Sequence, residues 1–197
     1  MPKQRITREM VVDAAFEIAR RDGIEKATVK AISEKLGCSV QPIYSYCQNM
    51  DGLRQAVAQK AREFIREYVG KAIDPSDLFR STGHAYVRIA KEEPNIFRLF
   101  LFQERAGISS LDDLYRTETN PAVAEKIAAE WNISVTEARR FHLNMLIYTI
   151  GISTIFSVTS SSIPEEEIFH QQELAYQAFL QNIKENQKHE SENFGGV

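Results

Sequence analysis

Cysteine is scarce in this chain, with two residues in 197, Cys38 and Cys47, too few for a disulfide scaffold. Proline (6) and glycine (9) are also few, which leaves long segments free to form helix. Neither sign of charge dominates: the net charge is −3 with 43% hydrophobic residues, and that balance excludes disorder for the bulk of the chain. The first twenty residues hold no unbroken apolar run and carry Lys3, Arg5, Arg8, Glu9, Asp13 and Glu17, so they do not read as a secretory leader. One apolar stretch, 141–158, is broken by His142, Asn144, Thr149, Ser153, Thr154 and Ser157. It reads as a helix buried in protein rather than a membrane span. A cytoplasmic protein without membrane association is expected.

Catalytic signatures are missing too. The chain has no Gly-x-Ser-x-Gly, no phosphate-cradling glycine loop and no dinucleotide fingerprint. The four histidines, His84, His142, His170 and His189, show no metal-ligand spacing with Cys, Asp or Glu. No enzyme activity, cofactor or metal is expected.

What is present is helical periodicity almost from end to end, and no segment reads as a strand. Thr7 caps a helix bearing Val11, Ala14, Ala15 and Ile18, ended by Gly23; Thr28 caps a short one bearing Val29, Ile32 and Leu36, stopped by Gly37. Ser39 is read as the cap of a third helix, 40–46, with Pro42 in its first turn. Asn49 opens a long helix to Ile73, roughly 36 Å at 1.5 Å per residue. Further helices are read over 78–91 and 96–102, and from Asn120-Pro121 to near Trp131. Ser134 and Glu137 have capping-box spacing at the head of a helix to Val158, and a last helix starts at Pro164. The segment 103–119, with Gly107 and a serine pair, reads as irregular, and 189–197 as a disordered tail.

Two short helices joined by Gly37-Cys38-Ser39, behind a supporting helix, have the anatomy of a helix-turn-helix, whose second helix enters the DNA major groove. An ordinary helical hairpin with capping hydroxyls has the same outline. Charge agrees weakly with the first: residues 1–54 hold nine Lys and Arg against seven Asp and Glu, and the rest of the chain is acidic. In this reading Thr28, Ser39, Gln41, Tyr44, Ser45 and Tyr46 face DNA, with Lys3 and Arg5 as a basic arm. Hydroxyls and free N–H groups at helix starts suit phosphates, and the Gln41 amide suits the N6/N7 edge of adenine. Cys38 and Cys47 read as small buried hydrophobes rather than a redox switch.

The run Val11-x-x-Ala14-Ala15-x-x-Ile18-x(4)-Gly23-x(4)-Thr28-Val29-x-x-Ile32-x(4)-Gly37-x-Ser39-x(3)-Ile43-Tyr44 resembles, without a gap, the N-terminal domain of the TetR family of transcriptional repressors. The resemblance continues through Asp51 and Leu53 and covers residues 7–57. It implies an all-α homodimer: an N-terminal helix-turn-helix domain (1–50) joined by a continuous helix to a C-terminal effector-binding and dimerisation domain (51–188). Such proteins bind a palindromic operator and are released by a small molecule. The chain departs from the family pattern at Gln41, where glycine is usual. It departs again at Cys47 and Met50, where an aromatic and a phosphate-binding lysine are usual.

In the body, the helix 134–158 is apolar nearly all round, and one subunit of this size covers only part of such a helix. A two-fold dimer is expected, built from Leu143, Ile147, Ile152 and Ile155 together with Phe169, Tyr176, Phe179 and Leu180 of the last helix. Helical bundles commonly hold ligands between aromatic side chains. That places an apolar or amphipathic effector among Tyr86, Phe97, Phe100, Leu101, Met145 and Tyr148. A reading of another class remains beside this one: a helical enzyme or interaction module that shares only the hairpin.

Overall fold

The computed structural model describes residues 6–47, 50–158 and 163–194, the side chains of Cys47 and of 186–194 lying outside that description. Among the described residues every regular element is helical, as expected. The order is α1 (Arg8–Asp22), a 3-10 turn (Ile24–Lys26), α2 (Val29–Leu36), α3 (Gln41–Cys47), α4 (Met50–Ala72), α5 (Leu78–Glu92), α6 (Pro94–Leu101), α7 (Leu111–Glu118), α8 (Pro121–Trp131), α9 (Val135–Val158) and α10 (Glu165–Phe194). The chain divides into two compact units, residues 1–104 with 156–160 and residues 105–155 with 161–197.

The first unit is built on local capping and one continuous core. Thr7 Oγ1 accepts the Met10 N–H and Thr28 Oγ1 accepts the Ala31 N–H, each at 3.2 Å, satisfying donors that a helix start leaves open. Val11, Ala15, Ile32, Ile43, Leu53 and Val57 are at most 1% exposed and form the core shared by α1, α2, α3 and α4. Asn49 lies outside the described residues, and α4 is described from Met50. The compact unit runs on past residue 50 because α5 and α6 pack on α4, and α6 also packs on α1. Phe97 and Ile96 are fully buried there, and Phe97 and Tyr86 lie 6.1 and 6.4 Å from the Phe100 ring.

In the second unit the segment read as irregular contains a helix. Ser110 caps α7, its Oγ accepting the Asp113 N–H at 3.1 Å, while Asp113 accepts from the hydroxyls of Ser109 and Ser110, both at 2.8 Å. Those bonds hold the Asp113 carboxyl below its ordinary pKa. Two acidic residues in the first turn suit the helix dipole, so the serines that looked like loop residues are the cap. The capping box of α9 forms as read: Ser134 Oγ accepts the Glu137 N–H, and Glu137 Oε2 accepts the Ser134 N–H, both at 3.1 Å. Trp131, Phe141 and Tyr176 stack edge to face, with centroids 4.9, 5.4 and 6.0 Å apart. α10 runs to Phe194, so the expected tail 189–197 is helical where described; Glu190 and Glu192 there are good helix formers.

Helix α9 is the only described helix long and apolar enough to cross a membrane by length and composition, yet only a third of its most apolar window is buried in the single chain. Ile147 and Ile155 are 50% and 61% exposed, and Gly151 between them is open. The expectation of a helix buried within protein is thus met only in part by this chain alone.

His142 sits on α9 with its Nδ1 2.9 Å from the Tyr115 hydroxyl. Burial pushes the imidazole down to about 4 and the phenol up, so near pH 7 a neutral phenol and a neutral imidazole share this hydrogen bond. The unfolded chain therefore binds this proton more readily than the folded one. The neutral imidazole's contribution is complete above the ordinary histidine value of about 6.5 and is lost as pH falls towards 4, by roughly 3 kcal/mol at most. Urea denaturation from pH 7 to 4 should show that decline in the wild type and a flatter one in His142→Gln, which still accepts a hydrogen bond but cannot titrate there. Equal declines would assign the acid sensitivity to other groups.

Candidate nucleic-acid interface

The first unit places its short helices through one turn. Helix α2 ends in a left-handed residue, Gly37 (φ 62, ψ 33), and the Cys38 N–H reaches back to the Ser33 carbonyl at 3.0 Å. This 6→1 bond closes the helix end and redirects the chain. Ser39 and Val40 follow, and the Val40 carbonyl accepts from the Ile43 and Tyr44 N–H groups at 3.2 and 3.3 Å. Val40 therefore occupies the position before α3 that Ser39 was read to hold, one residue later than expected. The shift leaves the exposed Ser39 in the turn.

Packing then decides which face of α3 remains open. Ile43 is 1% exposed, against Ile32 and Val11 at 0%. The opposite face carries Gln41 and Ser45, both exposed, with Tyr44 60% and Val40 44% exposed. Ser45 donates its hydroxyl to the Gln41 carbonyl at 3.1 Å, keeping oxygen lone pairs free as acceptors. No charged side chain occurs in α3. Of the sequence-selected residues, Thr28, Ser39, Gln41, Tyr44 and Ser45 are exposed, and Thr28 spends its hydroxyl on capping. Tyr46 differs: it is half-buried and donates to the Ile6 carbonyl at 2.9 Å, fastening the chain ahead of α1 to α3. Lys3 and Arg5 lie outside the described residues.

Basic residues around this face are partly engaged in ion pairs. Arg21 pairs with Asp22 (2.7 Å), Lys35 with Glu17 (2.6 Å) and Arg54 with Glu25 (3.5 Å). Such exposed pairs are worth little energetically, but they orient the side chains. Arg20 turns away from the turn altogether: its Nε donates to Glu93 at 2.8 Å, and Asn95 Nδ2 donates to the carbonyls of Arg20 and Arg21 at 3.0 and 3.3 Å. Glu93 raises the Arg20 pKa further. Lys60 of α4 pairs with Asp13 of α1. Sequence reasoning missed this clasp because Arg20 and Glu93 lie 73 positions apart. It also missed the exposure of Val40, which lies just ahead of α3 rather than in it.

Comparison with known proteins agrees with this architecture. A TetR-like transcriptional regulator from Rhodococcus sp. RHA1 superposes with a TM-score of 0.61 at 15% identity, over 90% of this chain and 97% of the other. This is the TetR-like fold. A multidrug binding protein, EbrR, solved with imidazole, superposes with a TM-score of 0.53 at 17% identity, over 87% and 96%. In sequence, the chain is 26% identical over 98 residues to the HTH-type nicotine-responsive transcriptional repressor HdnoR of Paenarthrobacter nicotinovorans, 47% of this chain and 50% of the relative. It is 25% identical over 105 residues to the HTH-type regulator YobS of Bacillus subtilis, 52% and 55%. The chain spans about half the length of these curated relatives, and no family model matches it. The fold is therefore TetR-like, and the matched part of the sequence is similar to HTH-type transcriptional regulators.

Gly37 provides the direct test of the turn. A Cβ there would meet nothing within 4 Å, so the cost of substitution lies in the backbone. Gly37→Val should lose about 1–2 kcal/mol in chemical denaturation, and Gly37→Asn distinctly less, because Asn tolerates the left-handed region. Equal losses would mean that the turn does not constrain the fold.

Proposed function

We propose that this chain is a ligand-responsive transcriptional repressor that binds a palindromic operator as a homodimer in the cytoplasm and releases it on binding an apolar or amphipathic molecule. The observation that carries this reading is the open face of α3, which offers Gln41, Tyr44 and Ser45 from a helix fixed by Gly37 and Ile43. Thr28 and Ser39 flank that face as phosphate contacts, with Lys3 and Arg5 as the arm. Tyr46 serves by holding the start of α1.

Exposed Ile147, Gly151 and Ile155 recur every four residues along α9, an apolar row that a second copy would cover. The half-exposed Leu143, Ile152, Phe169, Phe179 and Leu180 extend this proposed interface. Tyr176 supports it from below, since its ring is 8% exposed and packs on Trp131 and Phe141.

Effector control is supported by what the relatives are named for: one is nicotine-responsive and another binds multiple drugs. The proposed effector contacts in the first unit are Tyr86, Phe97, Phe100 and Leu101 on α5 and α6. Coupling to the DNA-facing helices is proposed to use α4 and α6 within the first unit. Lys60, Glu93 and Asn95 on or beside those helices hold α1, and a small displacement of either would move it.

Two measurements test this reading. Gln41→Ala should relax base preference by about 1–3 kcal/mol at one position in each half-site; a uniform loss on all sequences would mark Gln41 as a phosphate contact. Sedimentation of the wild type should give twice 22.5 kDa at micromolar concentration. Ile147→Asp with Ile155→Asp should give a folded monomer that no longer binds the palindrome, and full binding by that monomer would contradict the dimer.

A further inference from the structure

The outward face of α3 differs from the commonest base-reading chemistry. Arg or Lys paired with guanine O6/N7 is the most frequent specific contact, and α3 has neither. The helix and the residue just before it present instead one amide, Gln41, beside two open apolar groups, Val40 at 44% and Tyr44 at 60% exposure. Whereas Ile43 is 1% exposed and anchors the helix, the β-branched Val40 just ahead of it stays largely open to solvent. Its solvent-facing methyls are complementary to one feature of the major groove, the C5-methyl of thymine. No other base edge there offers an apolar partner.

Resting on the DNA-reading role proposed above, we infer that Val40 is a specificity-determining residue that packs on a thymine C5-methyl, so that Val40 and Gln41 together select neighbouring A·T pairs in each half-site. Gln41 selects through hydrogen bonds to adenine; Val40 selects by excluding water from a methyl group. The two contacts are chemically independent and should occupy different positions of the site.

The experiment uses the full chain and duplexes selected by it from a random pool. Each thymine of the selected half-site is replaced singly by deoxyuridine, which removes only the methyl and leaves base pairing intact. Wild-type affinity should fall about fourfold at one thymine per half-site, the worth of one buried methyl. Val40→Ala should bind the thymine and uridine duplexes equally, whereas Gln41→Ala should retain the methyl sensitivity. Selection without any uridine-sensitive thymine, or sensitivity that persists in Val40→Ala, would overturn the inference while leaving the DNA-reading role intact. Failure to select any sequence would overturn both. Because the uridine replacement alters only the DNA, the wild-type result does not depend on how a variant folds.

Discussion

The left-handed turn at Gly37 is the constraint on which the candidate interface depends. Its 6→1 bond from the Cys38 N–H to the Ser33 carbonyl ends α2, and α3 starts at Gln41, four residues after Gly37. With α2 anchored by Ile32 and α3 by Ile43, both at most 1% exposed, the turn leaves α3 one rotational setting. That setting faces Gln41, Tyr44 and Ser45 outward. A side chain that resisted the left-handed conformation would disturb the helix angle before any contact with DNA was made.

The same unit ties α1 to the helices that follow it by contacts of two kinds. Apolar packing of Val11, Ala15 and Leu53 resists separation but tolerates sliding. Polar contacts set the register: Lys60 to Asp13, Arg20 to Glu93, and Asn95 to two carbonyls at the end of α1. The Asn95 bonds satisfy carbonyls that the end of a helix leaves open. Glu93 and Asn95 flank Pro94, the first residue of α6, so the start of one helix is fastened to the end of another. A switch in this protein would act through such a joint, where a movement of one turn changes which groups are paired.

Much of this was legible in the sequence where the chemistry is local. Thr7, Thr28, Asn120 and the Ser134–Glu137 pair cap helices as their spacing says, because each bond joins residues within three positions of one another. Helix α7 was hidden for the opposite reason: Ser109, Ser110 and Gly107 are common in loops, and their spacing to Asp113 carries the cap. Val40 falls within α3 when Ser39 is read as the cap, whereas it precedes the helix and is 44% exposed. The Arg20–Glu93 and Tyr46–Ile6 contacts join residues 73 and 40 positions apart, and periodicity holds no record of such pairs. The apolar girth of α9 was evident from composition, but which side a single chain leaves open depends on packing: Tyr176 and Phe141 close one side and Ile147 and Ile155 remain on the other.

In the proposed complex, two copies of α3 related by a two-fold axis occupy successive major grooves on one face of a duplex. Hydroxyl-radical footprinting of the full chain on a selected operator tests it most directly. A two-fold dimer should give two equivalent protected patches on one face, about one helical turn apart or a little more, symmetric about the centre of the site. A single patch confined to one half, or uniform protection without symmetry, would contradict it.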